Sequence, residues 1–296
     1  MWVARLRNFR QAAEHVHATQ AAVSQRIAAL EADLGVRLLD RDRRDVRLTR
    51  EGGFVYERAQ SIVQLYGETR RQVTAGKALK PTVRLGVTDT VSLTFLPTLY
   101  KVLIREYEVD SVEAKVDLPI THYQALKNGD IDLAIGPTTS QATELIHVGL
   151  CGLVMVWAAS PELKVPRRRL SVSELVRFPI ISYSRASLPH RLILEQLQAA
   201  GVRQANLHSL STLAGVLHLV SGGAGISALP LALAQPLADK HQLQLLSVEE
   251  PFPEVQISVS YLHTPEDSTA RALASLVRDS VRQYHAYAPR GSIHLV

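Results

Sequence analysis

The segment from Thr19 to Gly35 reads TQAAVSQRIAALEADLG. Its apolar residues recur at the spacing of one helix face, namely at Val23, Ile27, Leu30 and Leu34. Thr19 is a plausible N-cap, and Gly35 is a typical residue just after a helix C-terminus. The segment therefore predicts a helix over these residues, with one face committed to a core.

The opposite face of this helix is short, polar and small, and it is formed by Gln20, Ser24, Gln25 and Ala28. A glutamine side chain can hydrogen-bond an adenine edge in two places, and a serine can bond a phosphate. Small neighbours allow close approach to a groove. This composition favours a helix that enters the major groove of DNA over an ordinary solvent-facing helix.

The flanking segments predict the rest of a winged helix-turn-helix domain. Upstream, Phe9 to Val16 forms a short helix, in which Ala12 and Ala13 allow another helix to approach closely. A break at residues 17–19 follows. Downstream, Leu38 to Thr49 is typical of two short extended segments around a basic turn, which suits a wing that lies against the DNA backbone.

Positive charge is concentrated at this end of the chain. The net charge is +5, and the whole excess lies in residues 1–80. Five arginines lie between positions 41 and 50: Arg41, Arg43, Arg44, Arg47 and Arg50. Such density is typical of a contact with a polyanion or of a solvated segment. Alternatively, Asp40, Asp42 and Asp45 form a self-neutralising surface with them, but the flanking pattern favours nucleic acid.

A long helix is predicted from Glu51 to Lys80, and Gly76 to Pro81 closes the first domain. Its apolar seam alternates spacings of four and three, as in a coiled coil: Val55, Ala59, Ile62, Tyr66, Thr69 and Val73. Alanine and threonine make this seam a modest one. The alternative is an amphipathic helix that packs on its own domain.

The ordered residues of the first fifty positions resemble the DNA-binding domain of LysR-type transcriptional regulators. The resemblance rests on Phe9, Ala12-Ala13, Val16-His17, Thr19-Gln20, Ala22-Val23-Ser24, Ile27, Leu30-Glu31, Leu34-Gly35, Leu38-Leu39, Arg41, Leu48-Thr49 and Gly52. Two positions depart from the family pattern. Ala21 stands where the family often has a proline, and Trp2 aligns with the middle of the first helix. Either the start codon lies upstream, or that helix is incomplete.

The resemblance implies roles for individual residues and partners. Double-stranded DNA is contacted by Thr19, Gln20, Ser24, Gln25, Arg26, Arg41, Arg43, Arg44 and Arg47. The long helix pairs two subunits in a homodimer or homotetramer and sets the distance between two DNA half-sites. Effector binding then alters DNA bending and the contact with RNA polymerase.

The periodicity after Pro81 predicts an α/β domain, because strands and helices alternate and a mainly parallel sheet is expected. Two similar halves joined by crossings near Ala159 to Leu163 and Leu262 to Pro265 resemble a periplasmic-binding-protein-like effector domain. The predicted divisions are 1–52 for the DNA-binding domain, 53–81 for the linker helix and 82–296 for the effector domain. Subdomain I spans about 82–160 and 263–296, and subdomain II spans about 161–262.

Ligands of open α/β sheets bind beyond the carboxyl ends of the strands. Segments rich in hydroxyl groups fall there, and the predicted effector-binding residues are Thr88, Asp89, Thr90, Ser92, Pro137, Thr138, Ser182, Tyr183, Ser184, Ser211 and Thr212. Helix N-termini in these segments favour a carboxylate, although ordinary N-caps are the alternative. Asp89 would repel an anion unless Arg185, His190 or an ammonium on the ligand pairs with it. A small organic acid or an amine-bearing acid is expected.

Several classes of protein are excluded by what the sequence lacks. Cys151 is the only cysteine, so an intramolecular disulfide is impossible, and a reducing, cytoplasmic location is expected. No apolar run approaches the ~18 residues that a membrane span needs. No nucleophile elbow, phosphate loop or histidine pair at metal-binding spacing is found. We therefore expect no enzymatic activity, no cofactor and no metal.

The leading hypothesis is a ligand-responsive transcriptional regulator that binds a dyad-symmetric operator. One alternative is a small-molecule binding protein whose DNA binding is weakened or lost. Another is a hydrolase or transferase on the same α/β scaffold, since a fold alone does not settle function.

Overall fold

The computed structural model describes residues 1–40, 46–74, 82–107, 109–138, 143–263 and 268–296. The chain divides into two compact units, Met1–Leu79 and Lys80–Val296. Among the described helices, none combines the length and apolar character needed to cross a membrane.

Three helices and a hairpin precede the long helix of the first unit. The helices are α1 (Trp2–Leu6), α2 (Phe9–His15) and α3 (Gln20–Leu34), and the antiparallel strands are β1 (Leu39–Asp40) and β2 (Arg47–Leu48). Helix α4 (Arg50–Thr74) follows. The predicted ends of α3 are confirmed, since Thr19 Oγ1 accepts a hydrogen bond from Ala22 N and Gly35 adopts a φ of 68°.

The core of this unit is small. Val3, Ala12 and Leu39 are buried in it, and Val23 and Ile27 of α3 pack against them. Leu30 and Leu34 are 43% and 44% exposed. The predicted core face of α3 is therefore wrong for its second half. Helical spacing shows which residues share a face, but not how far the neighbouring elements extend along it.

The start of α4 is fixed by a close backbone approach. Thr49 N donates to Leu38 O at 3.0 Å, and Thr49 Oγ1 accepts from Gly52 N at 2.9 Å. A Cβ atom at Gly52 would lie 1.9 Å from Leu38 O, whereas a Cβ atom at Gly53 would meet nothing within 4 Å. Only glycine fits at position 52.

The second unit begins with the elements of the first subdomain. They are β3 (Thr82–Val87), α5 (Asp89–Leu93), α6 (Leu96–Glu106), β4 (Ser111–Val116), α7 (Pro119–Lys127), β5 (Leu133–Gly136) and β6 (Leu145–Leu153). The chain returns to this subdomain at its end, with β12 (Val255–Leu262), α12 (Ser268–Tyr287) and β13 (Ile293–Leu295). Together the strands form one sheet in the order β13-β6-β12-β5-β3-β4.

The second subdomain lies between these two stretches of chain. Its elements are β7 (Met155–Ala159), a 3-10 turn (Pro161–Leu163), α8 (Val172–Leu175), β8 (Ile180–Ser182), α9 (Leu188–Ala199), β9 (Leu207–Ser209), α10 (Leu213–Ser221), β10 (Ile226–Pro230), α11 (Leu231–Asp239) and β11 (Gln244–Leu245). The sheet order is β11-β7-β10-β8-β9.

Both sheets are mixed, so the expectation of mainly parallel sheets is corrected. Strands β5, β3 and β4 run parallel, as do β10, β8 and β9. Strands β6, β7 and β12 pair antiparallel with their neighbours. They are the strands on either side of the two crossings: β6 leads out of the first sheet, β7 enters the second, and β12 enters the first again.

The two crossings lie elsewhere than predicted. The first is the single residue Val154, between β6 in one sheet and β7 in the other. The return precedes β12, so Val255–Leu262 belongs to the first subdomain rather than the second. The first crossing was missed because the apolar run from Leu153 to Ala159 continues unbroken through the change of sheet. The second was missed because the alternating pattern of β12 predicts a strand, but not the sheet that the strand joins.

Gly52→Ala is expected to destabilise the first unit by about 1–3 kcal/mol, because the added methyl group overlaps the Leu38 carbonyl. Gly53→Ala is the matched control. It adds the same group to the same helix in open space, and is expected to be neutral or to stabilise by up to about 1 kcal/mol. Scanning calorimetry of the full chain measures both, and equal transition temperatures for the two variants would contradict this packing.

Candidate DNA-binding and effector-binding sites

The turn between α2 and α3 is held by backbone hydrogen bonds. Val16 N donates to Ala12 O at 3.1 Å, and Ala18 N donates to Ala13 O at 2.9 Å. His17 between them adopts a φ of 52°. Because Ala12 and Ala13 are buried and have the smallest side chains that still favour a helix, α2 can lie close beside α3. The start of α3 is thereby fixed.

The polar face predicted for α3 is accessible. Gln20, Gln25 and Arg26 are exposed, and Ser24 is half-buried. The exposed Thr19 uses its hydroxyl to cap the helix, at 3.2 Å from Ala22 N. Side chains of Gln20 and Ser24, one turn apart, therefore project from the first half of a helix whose start is anchored.

The hairpin that follows is tied to α3 by Glu31. Its Oε1 accepts from Leu38 N at 2.8 Å and from Leu39 N at 3.1 Å. Arg47 is exposed on β2, opposite Asp40 of β1. The predicted phosphate-binding residues Arg41, Arg43 and Arg44 lie outside the described residues. The wing predicted from the sequence is present as a strand pair that carries one described arginine.

The seam predicted for α4 divides into two parts. Val55 and Ala59 are half-buried, whereas Ile62 and Tyr66 are each 66% exposed. The side chains of Thr69 and Val73 lie outside the described residues. Ile62 and Tyr66 are not covered by their own chain, which argues against the alternative of a helix packed only on its own domain.

The predicted cleft lies where the parallel strands of the second unit end. Thr88 and Asp89 follow β3, and Thr212 caps α10 by accepting from Gly215 N at 3.2 Å. One carboxylate oxygen of Asp89, in the first subdomain, accepts a hydrogen bond from the backbone N of Leu213, in the second. The structure therefore brings together residues that are separated by more than a hundred positions along the chain.

Several predicted effector residues are already engaged within their own subdomain. Ser182 Oγ lies 2.8 Å from His190 Nδ1, and Tyr183 Oη donates to Ala228 O at 2.5 Å. Ser92 Oγ donates to Asp89 O at 2.7 Å. The remaining side chains offer more to a ligand: Thr90 and Ser184 are half-buried, and Ser211 is exposed. Thr88 Oγ1 is buried without a partner among the described residues.

Burial and nearby charges shift the pKa values of Tyr183 and His190. Burial and the charge of Asp89 together raise the pKa of Tyr183, with burial the larger cause. Burial, and then the nearby Arg185 guanidinium, lower the pKa of His190. Of the partners considered for Asp89 from the sequence, neither Arg185 nor His190 is its hydrogen-bond partner, which is the backbone N of Leu213.

Pro137 and Thr138 line a second, small pocket in the first subdomain, beside α7 and β6. Thr138 Oγ1 lies 2.5 Å from Ser258 Oγ. His122 and His147 line the same pocket, and the Nε2 atom of each is buried without a partner among the described residues. Neither histidine was predicted as a site residue, because no spacing in the sequence relates position 122 to position 147.

Family models match both parts of the chain. The description "Bacterial regulatory helix-turn-helix protein, lysR family" matches residues 1–53, and "LysR substrate binding domain" matches residues 76–284. The chain belongs to the LysR family. It is a transcriptional regulator with a helix-turn-helix DNA-binding domain and an effector-binding domain. The fold class predicted from the sequence is thereby confirmed.

Known relatives of this LysR-family regulator span nearly its whole length. A probable hydrogen peroxide-inducible genes activator of Mycobacterium avium is 26% identical over 289 residues, which is 96% of this chain and 92% of the relative. Full-length LysG of Corynebacterium glutamicum with bound effector Arg is 19% identical, with a TM-score of 0.65 and 95% of each chain covered. Full-length CbnR complexed with its target DNA is 20% identical, with a TM-score of 0.65, covering 95% of this chain and 96% of CbnR. The two structures share the fold of this regulator.

The one cysteine of the regulator is poorly placed for chemistry. Cys151 is buried within β6, and burial raises the pKa of its thiol to about 12. The thiolate is the reactive form of cysteine, so this side chain stays protonated and inert near neutral pH. Among the described residues, no three metal-ligating side chains are grouped as a metal site requires.

Cys151 of the folded regulator is expected to resist iodoacetamide at about pH 8, because its raised pKa leaves almost no thiolate. After unfolding in urea it is expected to react at the rate of a free thiol such as glutathione. Mass spectrometry of timed samples measures both rates. Labelling of the folded protein at the glutathione rate would contradict the burial of this thiol.

Proposed function

We propose that this regulator reads a dyad-symmetric operator through Gln20, Ser24, Gln25 and Arg26 in the major groove. The observation that carries the proposal is the exposed polar face at the capped start of α3. Thr19 lies at the same end and fixes the start of the helix. Arg41, Arg43, Arg44 and Arg47 hold phosphates from the wing, where charge sets affinity more than sequence.

Fluorescence anisotropy of the full-length protein tests this function. The probe is DNA from just upstream of its own gene, measured at two salt concentrations with random-sequence competitor. We expect binding that resists the competitor and falls steeply with salt. Weak and equal binding to both DNAs would favour the alternative, a small-molecule binding protein without operator recognition.

Gln20→Ala is expected to lower discrimination between operator and random DNA by about 1–3 kcal/mol, since it removes a base contact. Arg47→Ala is the matched comparison. It is expected to weaken binding to both DNAs by a similar factor and to flatten the salt dependence, because it removes a phosphate contact. The assigned roles are wrong if both variants lose affinity equally on operator and random DNA.

Pairing of two subunits is proposed to use the seam Val55, Ala59, Ile62, Tyr66, Thr69 and Val73. Supporting it, Ile62 and Tyr66 expose large side chains that α4 would bury against a second copy. A homodimer or homotetramer would then present two reading helices at a fixed spacing, as a dyad-symmetric operator requires.

Ile62→Glu is expected to shift the oligomer towards monomer in sedimentation velocity, because it places a charge inside the seam. Val63→Glu is the control, since Val63 is also exposed on α4 but lies outside the seam. Equal sedimentation of the two variants and the wild type would argue against this pairing surface.

The proposed effector is a small organic acid or an amine-bearing acid, bound in the cleft among Thr88, Asp89, Thr90, Ser92, Ser182, Tyr183, Ser184, Ser211 and Thr212. Pro137 and Thr138, also predicted from the sequence, line the separate pocket beside α7 and β6 instead. Effector binding draws the two subdomains together, changes the spacing of the DNA-binding heads, and thereby alters DNA bending and the contact with RNA polymerase. The name of the Mycobacterium avium relative refers to hydrogen peroxide. The inert Cys151 argues against a response to peroxide through its thiol in this chain.

A further inference from the structure

The carboxylate of Asp89 occupies a position that would otherwise receive an anion. It accepts a hydrogen bond from Leu213 N, at the start of the nine-residue helix α10. Free N–H groups and the positive end of the dipole make the start of a helix favourable for negative charge. Here the negative charge comes from the other subdomain of the same chain.

The donor in this contact needs an acceptor. Leu213 is 1% exposed. A backbone N–H group buried without a partner costs free energy comparable to a lost hydrogen bond. The adjacent cap does not supply this partner, because Thr212 Oγ1 accepts from Gly215 N instead. Asp89 therefore accepts the hydrogen bond of the Leu213 N–H. Without Asp89, the carboxylate of a bound ligand could accept it instead.

The charge of Asp89 remains available to a cation. Among the described residues no lysine, arginine or histidine forms an ion pair with it, and its hydrogen-bond partner is a neutral peptide group. Arg185 is exposed, and His190 is bonded to Ser182. A second carboxylate placed beside Asp89 would be repelled by its like charge in a partly buried site.

We propose that Asp89 is the specificity-determining residue of the cleft. The regulator fills the anion position with its own carboxylate, and recognises its effector through an ammonium or guanidinium group that pairs with Asp89. A ligand whose only charge is a carboxylate is rejected. This inference rests on the proposed function, and of the two effector classes named there it selects the amine-bearing one.

Thermal unfolding of the full-length protein with small charged probes tests the inference. The probes are sodium acetate and butylammonium chloride, each compared with sodium chloride at equal ionic strength. The proteins are the wild type, Asp89→Ala, and the control Asp130→Ala, which removes an exposed carboxylate from the same subdomain.

We expect acetate to raise the melting temperature of Asp89→Ala by several degrees and to leave the wild type and Asp130→Ala unchanged, because only the first has an open anion position. Butylammonium is expected to bind the wild type about tenfold more tightly than Asp89→Ala, the effect of about 1.4 kcal/mol from one partly buried ion pair. The proposal is overturned if acetate stabilises the wild type as much as Asp89→Ala, or if neither probe distinguishes the two.

A second variant allows the same test if Asp89→Ala does not fold. Asp89→Asn keeps the shape of the side chain and an oxygen that can accept from Leu213 N, but it removes the charge. It is expected to lose the preference for butylammonium, while Asp130→Asn keeps it. Unchanged butylammonium binding by Asp89→Asn would overturn the proposal.

DNA binding of each variant without probe separates this inference from the proposed function. Operator binding by the wild type together with the wrong probe response would overturn the role of Asp89 alone. The expected probe response without specific DNA binding in any variant would leave the role of Asp89 standing and overturn the proposed function.

Discussion

The two crossings between the sheets are the constraint on which the effector domain depends. The first is Val154 alone, whose N–H donates to Ser292 O at 3.0 Å and whose carbonyl accepts from Leu231 N at 2.8 Å. The second follows Glu249, whose N–H donates to Leu170 O at 2.8 Å. Both crossings are therefore anchored by backbone hydrogen bonds. In the function proposed above, they are the hinge through which a small contact in the cleft would move whole sheets.

The hydrogen bond between Asp89 and Leu213 is a further link between the two subdomains, besides the crossings. The crossings join the subdomains on one side through covalent chain, and this hydrogen bond joins them across the cleft through a group that a ligand can replace or engage. A ligand can shift the equilibrium between the arrangements with and without this bond only if it binds one of them more tightly than the other. Because a carboxylate is the bridging group, the charge of the ligand decides which arrangement it favours.

Local rules recovered much of the fold from the sequence. Thr19 and Gly35 mark the ends of α3 by capping chemistry that acts within a few residues, and the strand pair β1–β2 was expected from the extended segments between Leu38 and Thr49. The change of sheet at Val154 could not be predicted, since an apolar run that continues from one sheet into the next has no local signal. Exposure of Leu30 and Leu34 was missed for a related reason, because burial depends on neighbours that the helix pattern does not describe.

In the candidate sites too, local sequence predicted some features, whereas others depend on the tertiary fold. Gln20, Gln25 and Ala28 are exposed, as the predicted polar face of α3 requires. In the second unit, the hydroxyl pattern indicated segments that the structure places at the ends of parallel strands, but it could not show that Ser182 and Tyr183 are bonded to His190 and Ala228. The pairing of Asp89 with a backbone N–H from distant chain was also beyond sequence patterns, because it is created by the tertiary fold.

The most direct measurement of the central claim is the distance across the cleft. Spin labels at Ile120→Cys and Ala186→Cys place one exposed reporter on each subdomain, and the buried Cys151 stays unlabelled. With Asp89 present, pulsed electron paramagnetic resonance is expected to give one narrow distance distribution, and with Asp89→Ala a broader one shifted to longer distances. Identical distributions in the two proteins would contradict the claim that Asp89 holds the two halves together.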